Sequence, residues 1–369
     1  MKAVITCPFI PIAARPGSHR ASQGVIYADL IRQSGVDISI NWGGRTFEDH
    51  NQFDTMYVYH GSDWSGGLNL FGGVKAFPYA WNIRNFSQFK GTVISLGIPF
   101  PPYHEMIGER IETAKKKGNS IQPEWLEVDL KNLERMHKNS QVVKFPFKTH
   151  KVVIGDSHAI CMHRPGWTVN SVPFTTLHGA IERGFKMYID PVDEIQHVTD
   201  LECYFGNIDL RHHLIRLEGD PYFRASKLAL DYVQAISALP IPNKSIYELL
   251  PIENESRKLP KTGYHKGKPF WGSWTERNNL RKFFCDVLEA HCQTGKDVKF
   301  IRWTDYLLNH KGELDFKHME QPHSIHLSRE FYPHWNGIDT FSTPKKLSKV
   351  PHKPELLEVP HNSLETFFA

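Results

Sequence analysis

Three consecutive apolar residues, Val152, Val153 and Ile154, run directly into Gly155, Asp156 and Ser157, and a helix-compatible stretch continues to Arg164. A short buried strand that ends in a Gly-Asp-Ser turn fits the carboxyl edge of a mainly parallel sheet, where ligands of open α/β folds collect. The turn lifts one hydroxyl to that edge. It also sets the first amides of the next helix beside the hydroxyl, ready to hold a developing negative charge.

Other segments follow the same rhythm. Ala3 to Thr6 reads as a first strand, Ala21 to Gln33 has helical spacing, and Val36 to Ile40, Met56 to Tyr59 and Thr92 to Leu96 read as further strands. Strand, helix and strand in succession argue for a doubly wound, Rossmann-like α/β domain over residues 1–148. Within it, Gly61 to Gly73 is glycine-dense and is either a surface loop or a loop that lets backbone approach a ligand. Ile111 to Lys138 is highly charged at helical spacing, a solvated helical pair whose KKK run is a charged face.

A second α/β rhythm occupies residues 149–336. Thr175 to Arg183 reads as a helix, Lys186 to Ile189 as a strand, and Leu201 to Phe205 as another strand. Tyr222 to Leu239 is an amphipathic helix bounded by Asp220-Pro221 and Pro240. Pro240 to Phe270, rich in Pro, Lys and Gly, reads as a surface excursion, with a helix over Thr275 to Cys292 and a strand over Val298 to Trp303 beyond it. Residues 337–369, broken by Pro344, Pro351, Pro354 and Pro360, read as a tail that wraps the surface or frays.

Composition narrows the function classes. The 369 residues suffice for two domains with proper cores, and 40% hydrophobic with 23% charged residues is ordinary globular material. A formal charge of +4 is too small to argue for nucleic acid by itself. Cys7, Cys161, Cys203, Cys285 and Cys292 form no CxxC pair, so neither a zinc ribbon nor a disulfide framework is expected, and a reducing, cytoplasmic compartment is. The chain carries neither a signal-peptide pattern nor an apolar run of about 18 residues, so no membrane association is expected.

Three islands carry chemistry. They are Gly155-Asp156-Ser157-His158, then Phe205-Gly206-Asn207-Ile208-Asp209-Leu210-Arg211-His212-His213 at the end of an apolar strand, and last Pro322-His323-Ser324-Ile325-His326-Leu327-Ser328. A serine hydroxyl is a poor nucleophile near neutral pH and needs an adjacent imidazole to take its proton. Plainer roles compete: Ser157 as a helix cap, His326 as one of 21 histidines at the surface, and Asp209 with Arg211 as a structural ion pair. A metal held by His158, His212, His213 and His326 lacks any HExxH-type spacing, and no motif calls for a cofactor.

In that order the islands resemble blocks I, III and V of the SGNH (GDSL-like) hydrolase superfamily, over roughly residues 150 to 335. GDSH followed by G-x-I-D-x-R-x-H is similar to families associated with carbohydrate acyl-group chemistry. The resemblance implies a flavodoxin-like three-layer α/β domain with Ser157 as nucleophile and His326 as general base. It implies an oxyanion hole of the Ser157 amide, Gly179 and Asn207, and a pocket lined by Asn207, Asp209, Arg211, His212 and His158. Two departures stand out: Asn207 is second rather than third in its block, and His323 occupies the place of the aspartate that orients the histidine. Glu320 or Asp209 substitutes for it, or a Ser-His dyad operates, or hydrolase activity is lost.

The N-terminal half has its own likeness. MKAVIT, Phe53 to Tyr59, Asn69-Leu70-Phe71-Gly72-Gly73 and Thr92 to Pro101 follow an order similar to the first domain of phage (bacteriophage) DNA glucosyltransferases. Three functions are therefore expected in competition. The first is a serine-dependent ester hydrolase or acyltransferase acting on a hydroxylated, sugar- or nucleoside-like small molecule. The second is a phage-type transferase that modifies DNA bases or nucleotides, with DNA as partner, and the third is a non-catalytic carbohydrate- or nucleotide-binding protein.

Overall fold

The computed structural model describes residues 1–7, 19–42, 52–59, 87–96, 104–105, 108, 112, 115–116, 123–143, 149–257, 271–295, 297–320, 324–335 and 355–357. The chain divides into two compact units. One comprises Met1–Ile10, Tyr27–Pro146 and Asp339–Ala369, the other Pro11–Ile26 and Phe147–Ile338.

In the first unit β1 (Lys2–Cys7), β2 (Asp37–Trp42), β3 (Thr55–Tyr59), β4 (Thr92–Leu96) and β5 (Gln141–Val143) form a parallel sheet in the order β2-β1-β3-β4-β5. Ala3, Val4 and Ile5 of β1 are fully buried, as are Met56 and Val58 of β3. Strands covered on both faces read as near-continuous apolar runs, and for that reason the sequence marks them well. Helix α2 (Pro123–Asn139) belongs to this unit, as does the Tyr27–Gln33 part of α1 (His19–Gln33). Residues 355–357 of the expected tail are pinned by side-chain amides. Asn132 donates to the Glu355 carbonyl at 2.7 Å and takes the Leu357 N–H at 2.9 Å, while Gln88 takes the Glu355 N–H at 3.0 Å. The glycine-dense Gly61 to Gly73 stretch, with its FGG motif, lies outside the described residues, as does much of the first half of the charged Ile111 to Lys138 region.

In the second unit β6 (Lys151–Gly155), β7 (Thr168–Ser171), β8 (Asp200–Tyr204), β9 (Asn243–Tyr247) and β10 (Val298–Ile301) form a parallel sheet ordered β10-β9-β8-β6-β7. Helices α3 (Leu177–Arg183), α4 (Lys186–Ile189), α5 (Pro221–Ser237) and α6 (Trp274–Gly295) complete the α/β pattern. Counted along each unit, both sheets have the order 2-1-3-4-5, which reverses direction between the first and third strands. Such a reversal leaves a crevice at the carboxyl ends of those two strands, here β6 and β8.

Helix α5 shows how the sequence builds this unit. Asp220 caps it by accepting the Tyr222 N–H at 2.9 Å, and Pro221 fills the first turn, where no N–H is needed. Its buried stripe of Ala225, Leu228, Ala229, Tyr232, Val233 and Ile236 follows helical spacing. Each fully buried Leu or Ile of such a stripe stabilises by roughly 1.5–3 kcal/mol.

Two readings of this half are corrected. Lys186 to Ile189 is a one-turn helix, not a strand; it follows Gly184, whose φ of 81° turns the chain out of α3, and buries only Tyr188 and Ile189. Pro240 to Phe270 is not wholly a surface excursion, because Asn243–Tyr247 is the interior strand β9. Lys244 hid it: the stem is buried while Nζ reaches the Ser237 and Leu239 carbonyls at the end of α5, at 2.9 and 3.1 Å. Strand β7 was missed because it is polar in sequence yet buried throughout. Its Thr168 meets the Thr149 hydroxyl at 3.0 Å, Asn170 donates to the Tyr188 carbonyl at 2.6 Å, and Ser171 donates to the Asp156 carbonyl at 2.9 Å. Among the described residues no helix is long and apolar enough to cross a membrane.

Candidate active site

Strand β6 delivers its last residues to the crevice edge through a turn with no slack. A Cβ on Gly155 would lie 2.4 Å from the Tyr204 carbonyl oxygen and 2.5 Å from Ala159 Cβ, so only glycine allows β6, β8 and the next turn to close together. Asp156, not Ser157, caps the following 3₁₀ turn (Ser157–Met162), accepting the His158 N–H at 2.9 Å. Relieved of the capping role, the half-buried Ser157 side chain points elsewhere. Its Oγ lies 2.9 Å from His326 Nε2, across 169 residues of chain.

A narrow hairpin positions that histidine. Met319 pairs with Leu327 in an antiparallel bridge, the Glu320 N–H donates to the His326 carbonyl at 3.0 Å, and the Ser328 N–H to the His318 carbonyl at 2.8 Å. Glu320 and His326 therefore face each other, with Glu320 Oε1 3.6 Å from His326 Nδ1. The same oxygen accepts the Ser324 hydroxyl at 2.6 Å, and that hydroxyl accepts the His326 N–H at 3.0 Å. Of the two carboxylates considered as substitutes, Glu320 stands beside the imidazole. Asp209 is engaged elsewhere. His323 lies outside the described residues.

Behind the serine lies a fully buried pair. His158 Nδ1 is 2.9 Å from Asp156 Oδ1, and its Nε2 is 3.1 Å from the carbonyl oxygen of Ile325, the neighbour of His326. A carbonyl can only accept, so Nε2 carries a hydrogen. The histidine thus ties the His326 loop to the Gly155-Asp156-Ser157 turn. Burial opposes charge on both partners. For Asp156 the facing imidazole and the hydrogen bonds from His158 and Asn207 outweigh it, holding its carboxyl below the usual range. With both nitrogens engaged inside the protein, His158 offers a ligand no polar atom. Its ring lies 4.8 Å from that of His326.

The second island is mostly interior. Asn207 Nδ2 donates to Asp156 Oδ2 at 3.2 Å and its Oδ1 accepts from Arg211 at 3.2 Å, which sets the amide's orientation. Arg211 pairs with buried Glu253 at 2.9 Å, and Arg257 reaches the same carboxylate at 3.0 Å. Burial would raise the Glu253 carboxyl, but the Arg211 and Arg257 charges outweigh it and bring it from 4.5 to about 2. Asp209 and Arg211 are therefore not an ion pair, and neither lines an open pocket. Asp209 accepts the Leu177 and His178 amides at 2.7 and 3.3 Å, its own carboxyl raised by burial against the pull of those bonds. The Gly179 amide, expected at the oxyanion hole, donates to Thr176 Oγ1 at 3.0 Å as part of the α3 cap. With all three leading amides of α3 engaged, that helix end has none to offer a ligand. His212 is half-buried.

What remains for an oxyanion is smaller than the sequence implied. The Ser157 amide has no acceptor among the described residues, and only one of the two Asn207 Nδ2 hydrogens is engaged. The crevice behind the imidazoles, walled by Ile160, Leu250, Leu327 and Tyr332, is too narrow to admit a water molecule. Among the described residues no group of three or more His, Cys, Asp or Glu side chains is placed to hold a metal ion. Glu253 went unnoticed in sequence because it sits in a segment read as surface. The only signal was a carboxylate followed four residues later by Arg257.

The class defined so far is an open, doubly wound α/β protein with a serine, a histidine and a glutamate in contact at a strand switch point. No protein-family model matches the sequence, and no curated protein matches it. One solved structure, from Streptococcus pneumonia and provisionally described as a platelet activating factor, overlays at 15% identity and a TM-score of 0.37, covering 62% of this chain and 94% of that one. A second overlays at 11% identity and a TM-score of 0.33, covering 50% of this chain and 92% of the other. Overlays this loose assign neither fold nor activity.

Proposed function

We propose that the second unit is a serine-dependent ester hydrolase or acyltransferase of the SGNH type, acting on a hydroxylated, sugar- or nucleoside-like substrate. One observation carries the reading: the 2.9 Å contact between Ser157 Oγ and His326 Nε2 at the crevice between β6 and β8. An imidazole at that distance takes the hydroxyl proton as Oγ attacks an ester carbonyl. The Ser157 amide and the second Asn207 hydrogen would hold the oxyanion, and the Glu320 carboxylate would steady the imidazolium. His326 then returns the proton to the departing alcohol. An acyl-serine is left, and water or an acceptor hydroxyl removes the acyl group with the same histidine as base. The free thiols of Cys161, Cys203, Cys285 and Cys292 suit a reducing compartment such as the cytoplasm.

The test is covalent labelling with a fluorophosphonate, followed by mapping of the modified residue. Labelling at Ser157, and its loss together with acetyl-ester turnover in Ser157→Ala, is the expected result. A folded Ser157→Ala protein that labels or turns over like the wild type would overturn the proposal.

A further inference from the structure

Phe174 combines two features that a structural residue avoids. Its side chain is 80% exposed, and its backbone sits at φ 61°, a region that bulky L-residues rarely adopt. Nothing in the interior rewards this conformation, since the aromatic ring lies outside it.

The loop that holds Phe174 is anchored upstream to the turn that carries Ser157 and downstream to the start of α3. Upstream, the Val172 N–H donates to the Gly155 carbonyl at 2.8 Å and the Ser171 hydroxyl to the Asp156 carbonyl at 2.9 Å. Downstream, Thr175 is buried, Thr176 caps α3, and Asp209 grips the Leu177 and His178 amides. Only Pro173 and Phe174 lie free between these anchors. The first anchor is the backbone that carries Ser157. Backbone strain that the surroundings over-determine clusters at active sites and ligand clamps.

We propose that Phe174 is a binding platform for the flat face of a ring, a sugar or a nucleobase, attached to the ester that Ser157 attacks. This deepens the esterase reading and rests on it. A ring face stacked on an exposed aromatic gains dispersion without hydrogen-bond readout, so either ring type would bind.

The test compares wild type with Phe174→Gly and Phe174→Trp in three assays. These are turnover of an acetylated methyl pyranoside, an acetylated nucleoside and ring-free ethyl acetate; fluorophosphonate labelling of Ser157; and thermal unfolding. For Phe174→Gly, kcat/KM on the preferred ring ester should fall about tenfold through KM, the scale of one ring-on-aromatic stack. Ethyl acetate turnover and labelling should hold, and Tm should rise, because glycine accepts this backbone freely. Phe174→Trp should keep ring-ester activity. Which ring ester loses more tells sugar from base. Equal losses on ring and ring-free esters, unchanged ring-ester kinetics, or a lowered Tm would each overturn the platform. Absence of Ser157 labelling in the wild type would instead bring down the serine reading, and this proposal with it.

Discussion

Replacing Glu320 with glutamine isolates the part of the site that the motif pattern did not supply. Glutamine keeps an oxygen that can accept the Ser324 hydroxyl, so the Ser324 link to the His326 backbone survives while the negative charge is removed. As the serine proton moves to His326, an imidazolium forms with its Nδ1 3.6 Å from Glu320 Oε1. At an effective dielectric near 20, unit charges at that separation attract by about 4.6 kcal/mol, or roughly two-thousandfold in rate. His326 keeps 15% of its side chain exposed, and solvent screens part of this attraction. The separation is also longer than a hydrogen bond, so the carboxylate acts here through charge more than through fixing a tautomer. The expected loss for Glu320→Gln is therefore on the order of a hundredfold in the fluorophosphonate labelling rate and in kcat/KM. Ser324→Ala should cost much less, about fivefold, the worth of one hydrogen bond. If Glu320→Gln stays within about threefold of wild type, Ser157 and His326 act as a dyad and the charge argument fails.

Other outcomes follow from the buried chemistry. Glu253→Gln leaves Arg211 and Arg257 without their carboxylate and should destabilise the second unit by about 3–5 kcal/mol in urea melts at neutral pH; an unchanged midpoint would refute the pairing. Because the Glu253 pKa is depressed, its stabilisation is fully present above 4.5 and is lost as pH falls toward about 2; Glu253→Gln should show a shallower acid decline than wild type over that window. Gly155→Ala should lower the midpoint by an overpacking penalty of about 1–3 kcal/mol and slow Ser157 labelling, since the added Cβ collides with Tyr204 and Ala159. Cys285 and Cys292, buried and pushed up to about 11 and about 12, should resist iodoacetamide at pH 8 until the protein is unfolded; rapid native alkylation would contradict their burial.

Much of the architecture could be read without coordinates. Apolar runs such as Val152 to Ile154 and Met56 to Tyr59 are strands because hydrophobic burial on both faces of a parallel sheet leaves a one-dimensional trace. Caps leave one too, as Asp220-Pro221 does for α5. Polar residues buried by pairing leave none: β7 and Lys244 of β9 look like surface until Tyr188, Asp156 and the end of α5 are seen to satisfy them. The candidate site divides the same way. Ser157 and His326 stand out as residue types in motifs, and the order of their islands is a property of the chain alone. That Glu320 faces His326, that Asp209 has taken the amides of α3, and that Gly179 serves a cap were decided by long-range contact. Hydrogen bonds and ion pairs act over a few ångströms in space, and no spacing along the chain encodes which distant groups will share that distance.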